Sequence, residues 1–355
     1  MTVRNPNEIT AKPVSPERRD FLKVASLGGA GAALGALAGG ARAEQPRIEL
    51  AQAGGQTWWP SRWGKDDQAG ASNWITPEKV LDAVKWIKDG KIYRIGHPYE
   101  ATMPKFGDRA FTLRMVGSPT GGPFGGNKLV YNDEFLATEI GQCGTQFDGL
   151  GHIGIQLGKD GDKSEMRYYN GLSQQEIGAH NGLQKLGIEH VKPFFTRGHL
   201  IDAMGVKGAM LEAGQEITMA DVRAALTKQG MKDDDIRQGD ALFFNTGWSS
   251  LWQKNNDKYV NGEPGIGVEV ARWIAQKGAC VVGADCWGIE VVPNPDKAVA
   301  FPVHGELITK NGIFLSENMQ FNDLIRDRKY QFVYIFSPVP IKGATGSINS
   351  PIAVT

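Results

Sequence analysis

Four short apolar runs bounded by turn residues restrict the folds open to this chain more than any other feature. They are GHLIDA from residue 198, DALFFNTG from 240, ACVVGAD from 279 and YQFVYIF from 330. They read as buried strands. Helical signals alternate with them. Thr76 stands as an N-cap, Pro77 takes the first helical position and Glu78 the first turn, and Val80, Val84 and Ile87 share a face up to a stop at Gly90. Thr218 and Asp221 form a capping box ahead of Val222 and Leu226, with a stop at Gly230. A third helix is expected from about Gly267 to Lys277, before Gly278. Strand–helix alternation predicts an α/β domain whose functional residues sit where strands run out into loops. Asp240, Asp285 and Glu317 lie beside such runs.

The start of the chain does not read as part of that domain. SPERRDFLK, from Ser15, carries the pair Arg18 and Arg19, and a run from Val24 to Ala41 follows that is built almost wholly of Ala, Gly and Leu. It ends in ARA, with small residues where a signal peptidase cuts. Residues 1–43 are therefore expected to be a twin-arginine export signal, residues 44–57 a linker, and residues 58–355 one domain in the periplasm. With six glycines and few large aliphatic residues the run is a poor membrane span, so no stable insertion is expected. Cleavage after Ala43 would remove six basic and three acidic residues, leaving 33 and 36 and a net charge of −3. That balance gives no basic footprint for nucleic acid.

Cys143, Cys280 and Cys286 are expected to be free thiols. Cys280 and Cys286 flank VVGAD, and an extended strand would hold their Cα atoms on the order of 20 Å apart, far beyond disulfide reach. Substrates of the twin-arginine route also fold before they cross the membrane.

The segment GQCGTQFDGLGHIG, residues 141–154, sets Asp148 and His152 four residues apart among five glycines. On its own it reads equally well as a turn. Its core nevertheless resembles the signature H-x-G-T-H-x-D-x-P-x-H of the metal-dependent cyclase-like hydrolases, the family of bacterial kynurenine formamidases and isatin hydrolases. The resemblance continues through RWGKDDQAGASNWITPEKVL from Arg62, IGHPYEATMP from Ile95, FTRGHLIDA from Phe195 and GDALFFNTGW from Gly239. Further on it takes in the long segment from Pro264 to Pro293, HGELITKNGIFLSEN from His304 and KGATGSINSPIAV from Lys342. It implies a swivelling β/β/α-type α/β fold, a mixed sheet with flanking helices, in a homodimer or homotetramer.

Carried over residue by residue, the resemblance makes Asp148, His304 and Glu317 metal ligands and His152 the acid/base. Gln142 and Gln146 stand where histidines are expected, and Leu150 stands for the usual proline. An amide oxygen is a weaker ligand than an imidazole. The expectation is therefore one divalent ion per chain, Zn²⁺ or Mn²⁺, with the glutamines reading substrate or adding a weak ligand. The ion would polarise a substrate carbonyl and lower the pKa of bound water toward about 7, and His152 would shuttle the proton. The five glycines would let the backbone bend close to ion and substrate.

The other candidates carry plainer readings. His97 either has a structural part or touches substrate. Asp285 and Glu290 read first as turn-and-cap acids. Trp58, Trp59, Trp63 and Trp74 read first as packing. The leading functional reading is a periplasmic hydrolase of a small amide, cyclic imide or lactone. A lyase or dehydratase using the same ion, and a ligand-binding member that has lost catalysis, are the alternatives.

Overall fold

The computed structural model describes residues 57–178 and 180–355; the twin-arginine segment and nearly all of the linker lie outside the described residues. In chain order the principal strands are β1 (Ile92–Arg94), β2 (Phe111–Met115), β3 (Gly121–Phe124), β4 (Leu129–Tyr131), β5 (Glu134–Thr138), β6 (Gln146–Asp148), β7 (Phe194–Asp202), β8 (Ala241–Asn245), β9 (Val281–Ala284), β10 (Phe314–Glu317), β11 (Gln331–Phe336), β12 (Gly346–Ile348) and β13 (Ile352–Val354). Nine of them form one mixed sheet, in the order β1-β13-β11-β7-β8-β9-β10-β6-β12. The central four, β7 to β10, are parallel. Successive antiparallel pairings add β6 and β12 on one side, and β11, β13 and β1 on the other.

The four apolar runs are β7, β8, β9 and β11. Parallel neighbours need long crossovers, and helices supply them: α2 (Met219–Lys228) leads from β7 to β8 and α3 (Val268–Lys277) from β8 to β9. The expected capping box of Thr218 and Asp221 starts α2, whose Val222 and Leu226 are buried. Gly278, at φ 70°, closes α3 in the left-handed conformation. Under the sheet, the Phe147 ring packs between those of Phe314, Phe336 and Phe194 at 5.2, 4.9 and 5.6 Å. All three cysteines are free and buried. Among the described residues no helix is long and apolar enough to cross a membrane.

Helix α1 (Pro77–Val84) departs from the sequence reading. Thr76 caps it as expected, but it ends six residues short of Gly90, and Val84 and Ile87 are exposed together with Leu81. A polar anchor has turned it. Lys79, on the inward side with buried Ala83, pairs with Asp240, and Asp82 lies 3.8 Å from Arg197. Asp240 also takes hydrogen bonds from Arg197 and pairs with His199 at 2.8 Å. Trp86 covers Arg197 at 5.1 Å. Asp240, flagged in the sequence because it borders a strand, therefore serves to fasten α1 to β7.

The segment between β1 and β6 forms an arm of two hairpins, β2 with β5 and β3 with β4. Its large apolar residues are exposed on both faces, including Leu113, Met115, Val116, Phe124, Val130 and Phe135. A two-stranded ribbon is at best marginally stable alone in water, so the arm reads as a contact surface.

Burial opposes ionisation of Asp240, but the hydrogen bond and charge of His199 and the charge of Lys79 outweigh it and hold the carboxyl at about 2. A depressed carboxyl stabilises the fold fully above its unfolded value near 3.8 and loses that contribution as pH falls toward about 2. Asp240→Asn should remove this acid dependence. It should cost roughly 3–5 kcal/mol near neutral pH, because the Arg197 charge is left buried without its partner. Urea denaturation of both proteins from pH 7 down to 2 measures both effects.

Candidate metal and catalytic site

Pleating sets the first half of the site. Residues two apart on a strand share a face, so Gln146 and Asp148 of β6 point one way while Phe147 points into the aromatic core. Strand β10 pairs with β6 in a register that sets Glu317 opposite Gln146, and Gln146 Nε2 donates to Glu317 Oε2 at 2.6 Å. His304 arrives from the turn of chain before β10. Its Nε2 lies 3.3 Å from Glu317 Oε1 and 4.0 Å from Asp148 Oδ2. One ligand atom from each of Asp148, His304 and Glu317 falls within 4.8 Å of the others, and all three residues are buried.

The donor set fits a divalent ion. Asp148 Oδ2 and Glu317 Oε1 are buried oxygens without a hydrogen-bond partner among the described residues, and both border His304 Nε2. A buried acceptor left unpaired is costly, and an ion between these three atoms would satisfy all of them. Burial and the neighbouring Asp148 charge push the Glu317 carboxyl well up, as expected of two acids pressed together. Two carboxylate oxygens and one imidazole form a set that Zn²⁺ or Mn²⁺ accepts with positions left open.

Sequence reasoning undervalued Glu290. Its Oε1 lies 2.5 Å from His304 Nδ1, and its carboxylate also accepts from the backbone N–H of Val303 and His304. The Nδ1 proton is thereby committed to Glu290, and Nε2 faces Asp148 and Glu317. The spacing of an acid fourteen residues before a histidine carried no signal of this. Asp285, by contrast, is the capping acid expected: it accepts from Thr246 N and Oγ1. A second missed feature is backbone strain. Ile289 and Phe301 have φ of 63° and 49°, in a region that β-branched and bulky residues rarely enter, and Asn318 joins them at 53°. They adjoin Glu290, the His304 turn and Glu317, and strain of this kind collects at functional sites.

His152 sits at the cavity wall, with Nε2 3.9 Å from Asp148 Oδ1 and 3.3 Å from the Gln142 amide nitrogen. Burial lowers its pKa, against the pull of Asp148 and assisted by the charges of His304 and Arg109, so a neutral imidazole faces the cavity. Gln142 links its neighbours: Nε2 donates to Asp148 Oδ1 at 2.9 Å and Oε1 accepts from Arg109 at 3.1 Å. Arg109 had no signal in the sequence. The cavity, about 190 Å³, has an aromatic wall where Phe106 stacks on Trp287 at 4.5 Å and Phe301 meets Trp287 edge-on at 6.1 Å.

His97 and the tryptophans take packing roles, and one expectation, that the glycines admit ion or substrate, is corrected. His97 does not line the cavity; its ring stacks on Trp252 at 4.3 Å. Trp58, Trp59, Trp63 and Trp74 are also absent from the lining, with Trp63 and Trp74 packed against each other at 5.1 Å. The glycines admit close approach of protein rather than of ion or substrate. A Cβ on Gly141 (φ 77°) would fall 2.7 Å from the Gly346 backbone, and one on Gly144 (φ 65°) 2.5 Å from the Tyr99 ring.

If Glu290 holds the His304 tautomer, Glu290→Gln should weaken divalent-ion affinity by about 10- to 100-fold. Titration with Zn²⁺ and Mn²⁺ against a competing chelator measures this, and circular dichroism checks that the fold persists.

Comparison with known proteins places these features in a family. Residues 93–291, more than half the chain, match the putative cyclase family. A crystal structure of a novel cyclase superposes with a TM-score of 0.72 at 32% identity, covering 82% of this chain and 98% of its own. Isatin hydrolase A of Labrenzia aggregata, bound to benzyl benzoate, gives 0.54 at 18% identity over 75% and 94% of the two chains. Isatin hydrolase A of Ralstonia solanacearum gives 0.55 at 16% over 78% and 97%. No match was found among curated proteins. The chain belongs to the putative cyclase family, whose mixed α/β fold it shares.

Proposed function

We propose that this protein is a metal-dependent hydrolase of a small amide, cyclic imide or lactone, working with one divalent ion held by Asp148, His304 and Glu317. The observation that carries the reading is the convergence of two unpartnered carboxylate oxygens on His304 Nε2, in a cavity that His152 also lines. When bound, a divalent ion supplies Lewis acidity, polarising a carbonyl and acidifying water. The protein does the rest. His152, neutral at working pH, takes a proton on its cavity-facing nitrogen and returns it to the departing nitrogen or oxygen. Gln146, with its amide nitrogen on Glu317, holds that carboxylate in place. Phe106, Trp287 and Phe301 accept a flat apolar ring and keep water from the rest of the cavity. The fold likeness to isatin hydrolases agrees with a planar aryl amide or imide.

The expected metal content is about one Zn²⁺ or Mn²⁺ per chain, read by plasma mass spectrometry on protein prepared without added metal or chelator. Glu317→Ala should abolish tight binding. His152→Ala should keep the ion and lower kcat by about 10²- to 10⁴-fold. Turnover of aryl formamides, cyclic imides and lactones in ¹⁸O-water should place one labelled oxygen in the product. Loss of product mass without label would assign a lyase instead, and tight binding without turnover a ligand-binding protein.

We also propose that the chain is exported to the periplasm by the twin-arginine machinery and self-associates through the apolar arm. The fixed guanidinium forks of Arg18 and Arg19 are poorly mimicked by lysine, so replacing both with Lys should leave the protein in the cytoplasmic fraction. Light scattering should give a dimer or tetramer, shifted toward monomer by Leu113→Glu with Phe135→Glu.

A further inference from the structure

We infer that Arg109 is the carboxylate-recognition residue of this cavity, so that the preferred substrate is an anion. This names the substrate class within the hydrolase reading and rests on it. Arg109 lies at the base of the arm and lines the same cavity as His152, His304 and Glu317. Its guanidinium is fixed from three sides. Nη1 donates to the Phe106 carbonyl at 2.8 Å, Nη2 donates to Gln142 Oε1 at 3.1 Å, and the group lies 5.3 Å from the centre of the Phe106 ring. A guanidinium has five donors in a rigid fork. Neutral oxygens orient this one and leave its positive charge to the cavity, as a bidentate carboxylate site requires.

The amide of Gln142 can point only one way between its neighbours. Arg109 has no acceptor to offer, so the amide oxygen must face it, and the nitrogen then faces Asp148 Oδ1. A histidine at position 142 could not accept from a cation and donate to a carboxylate while binding a metal. Glutamine here therefore puts a fixed organic cation where the signature that the chain resembles places a metal ligand.

Charge balance points the same way. Lys105 lines the cavity together with Arg109, so two cations border it beside the acids Asp148 and Glu317 that would hold the ion. The aromatic wall supplies the complementary apolar surface, so the ligand class that fits is a small aryl amide or imide bearing a carboxylate.

Two measurements on the metal-loaded protein test this. The first is benzoate binding by calorimetry to wild type, Arg109→Gln and Arg109→Lys, with metal content checked in each. Wild type should bind, Arg109→Gln should bind at least about tenfold more weakly, and Arg109→Lys should fall between them. Equal binding to wild type and Arg109→Gln, or no binding to wild type, overturns the inference. The second compares kcat/KM for N-formylanthranilate and formanilide, which differ by one carboxylate. Wild type should prefer the anion, and that preference should collapse in Arg109→Gln. A wild-type preference for formanilide, or a ratio untouched by the substitution, also overturns it. If neither compound is hydrolysed, the hydrolase reading is in question for these substrates, and benzoate binding alone decides the role of Arg109.

Discussion

Asp148 and Glu317 are two acids buried side by side, and their mutual repulsion is the constraint around which the site is built. The β6–β10 pairing brings them together, and both are buried. Such a pair persists only if a proton, a donor or a cation lies between them. Each acid has one oxygen satisfied by a glutamine amide and one oxygen left toward His304. That division of labour separates the atoms that anchor the acids from the atoms able to ligate.

The same separation recurs at His304. Glu290 takes the Nδ1 proton and two backbone N–H groups of the preceding turn, so imidazole and backbone are located by one carboxylate. Burial alone would lower the His304 pKa, but the hydrogen bond of Glu290 and the charges of Glu290 and Glu317 raise it well above its ordinary value. Ligation through Nε2 would therefore displace a proton, which couples metal affinity to pH. The left-handed backbone at Ile289, Phe301 and Asn318 is held by surrounding structure that fixes the loops carrying these groups.

The glutamines take on a different sense in three dimensions. By sequence they are missing imidazoles. In the fold they are connectors, Gln146 to Glu317 and Gln142 from Asp148 to Arg109. The cavity is thus lined by Glu317 and His304 of the proposed ion site, by the cation Arg109 and by the rings of Phe106, Trp287 and Phe301.

The sequence by itself determined what local chemistry dictates. Apolar runs became central strands of the sheet, Thr218 with Asp221 started α2, Gly278 ended α3, and motif order pointed to the family and to Asp148, His152, His304 and Glu317. What it could not decide were relations between segments far apart in the chain. The inward face of α1 was set by Lys79 reaching Asp240 across 161 residues, which overrode its apolar periodicity. Placing His97 against Trp252, Glu290 behind His304 and Arg109 beside Gln142 required the packed fold. A side chain's role there depends on which charge or ring lies within a few ångströms, and only tertiary structure sets that distance.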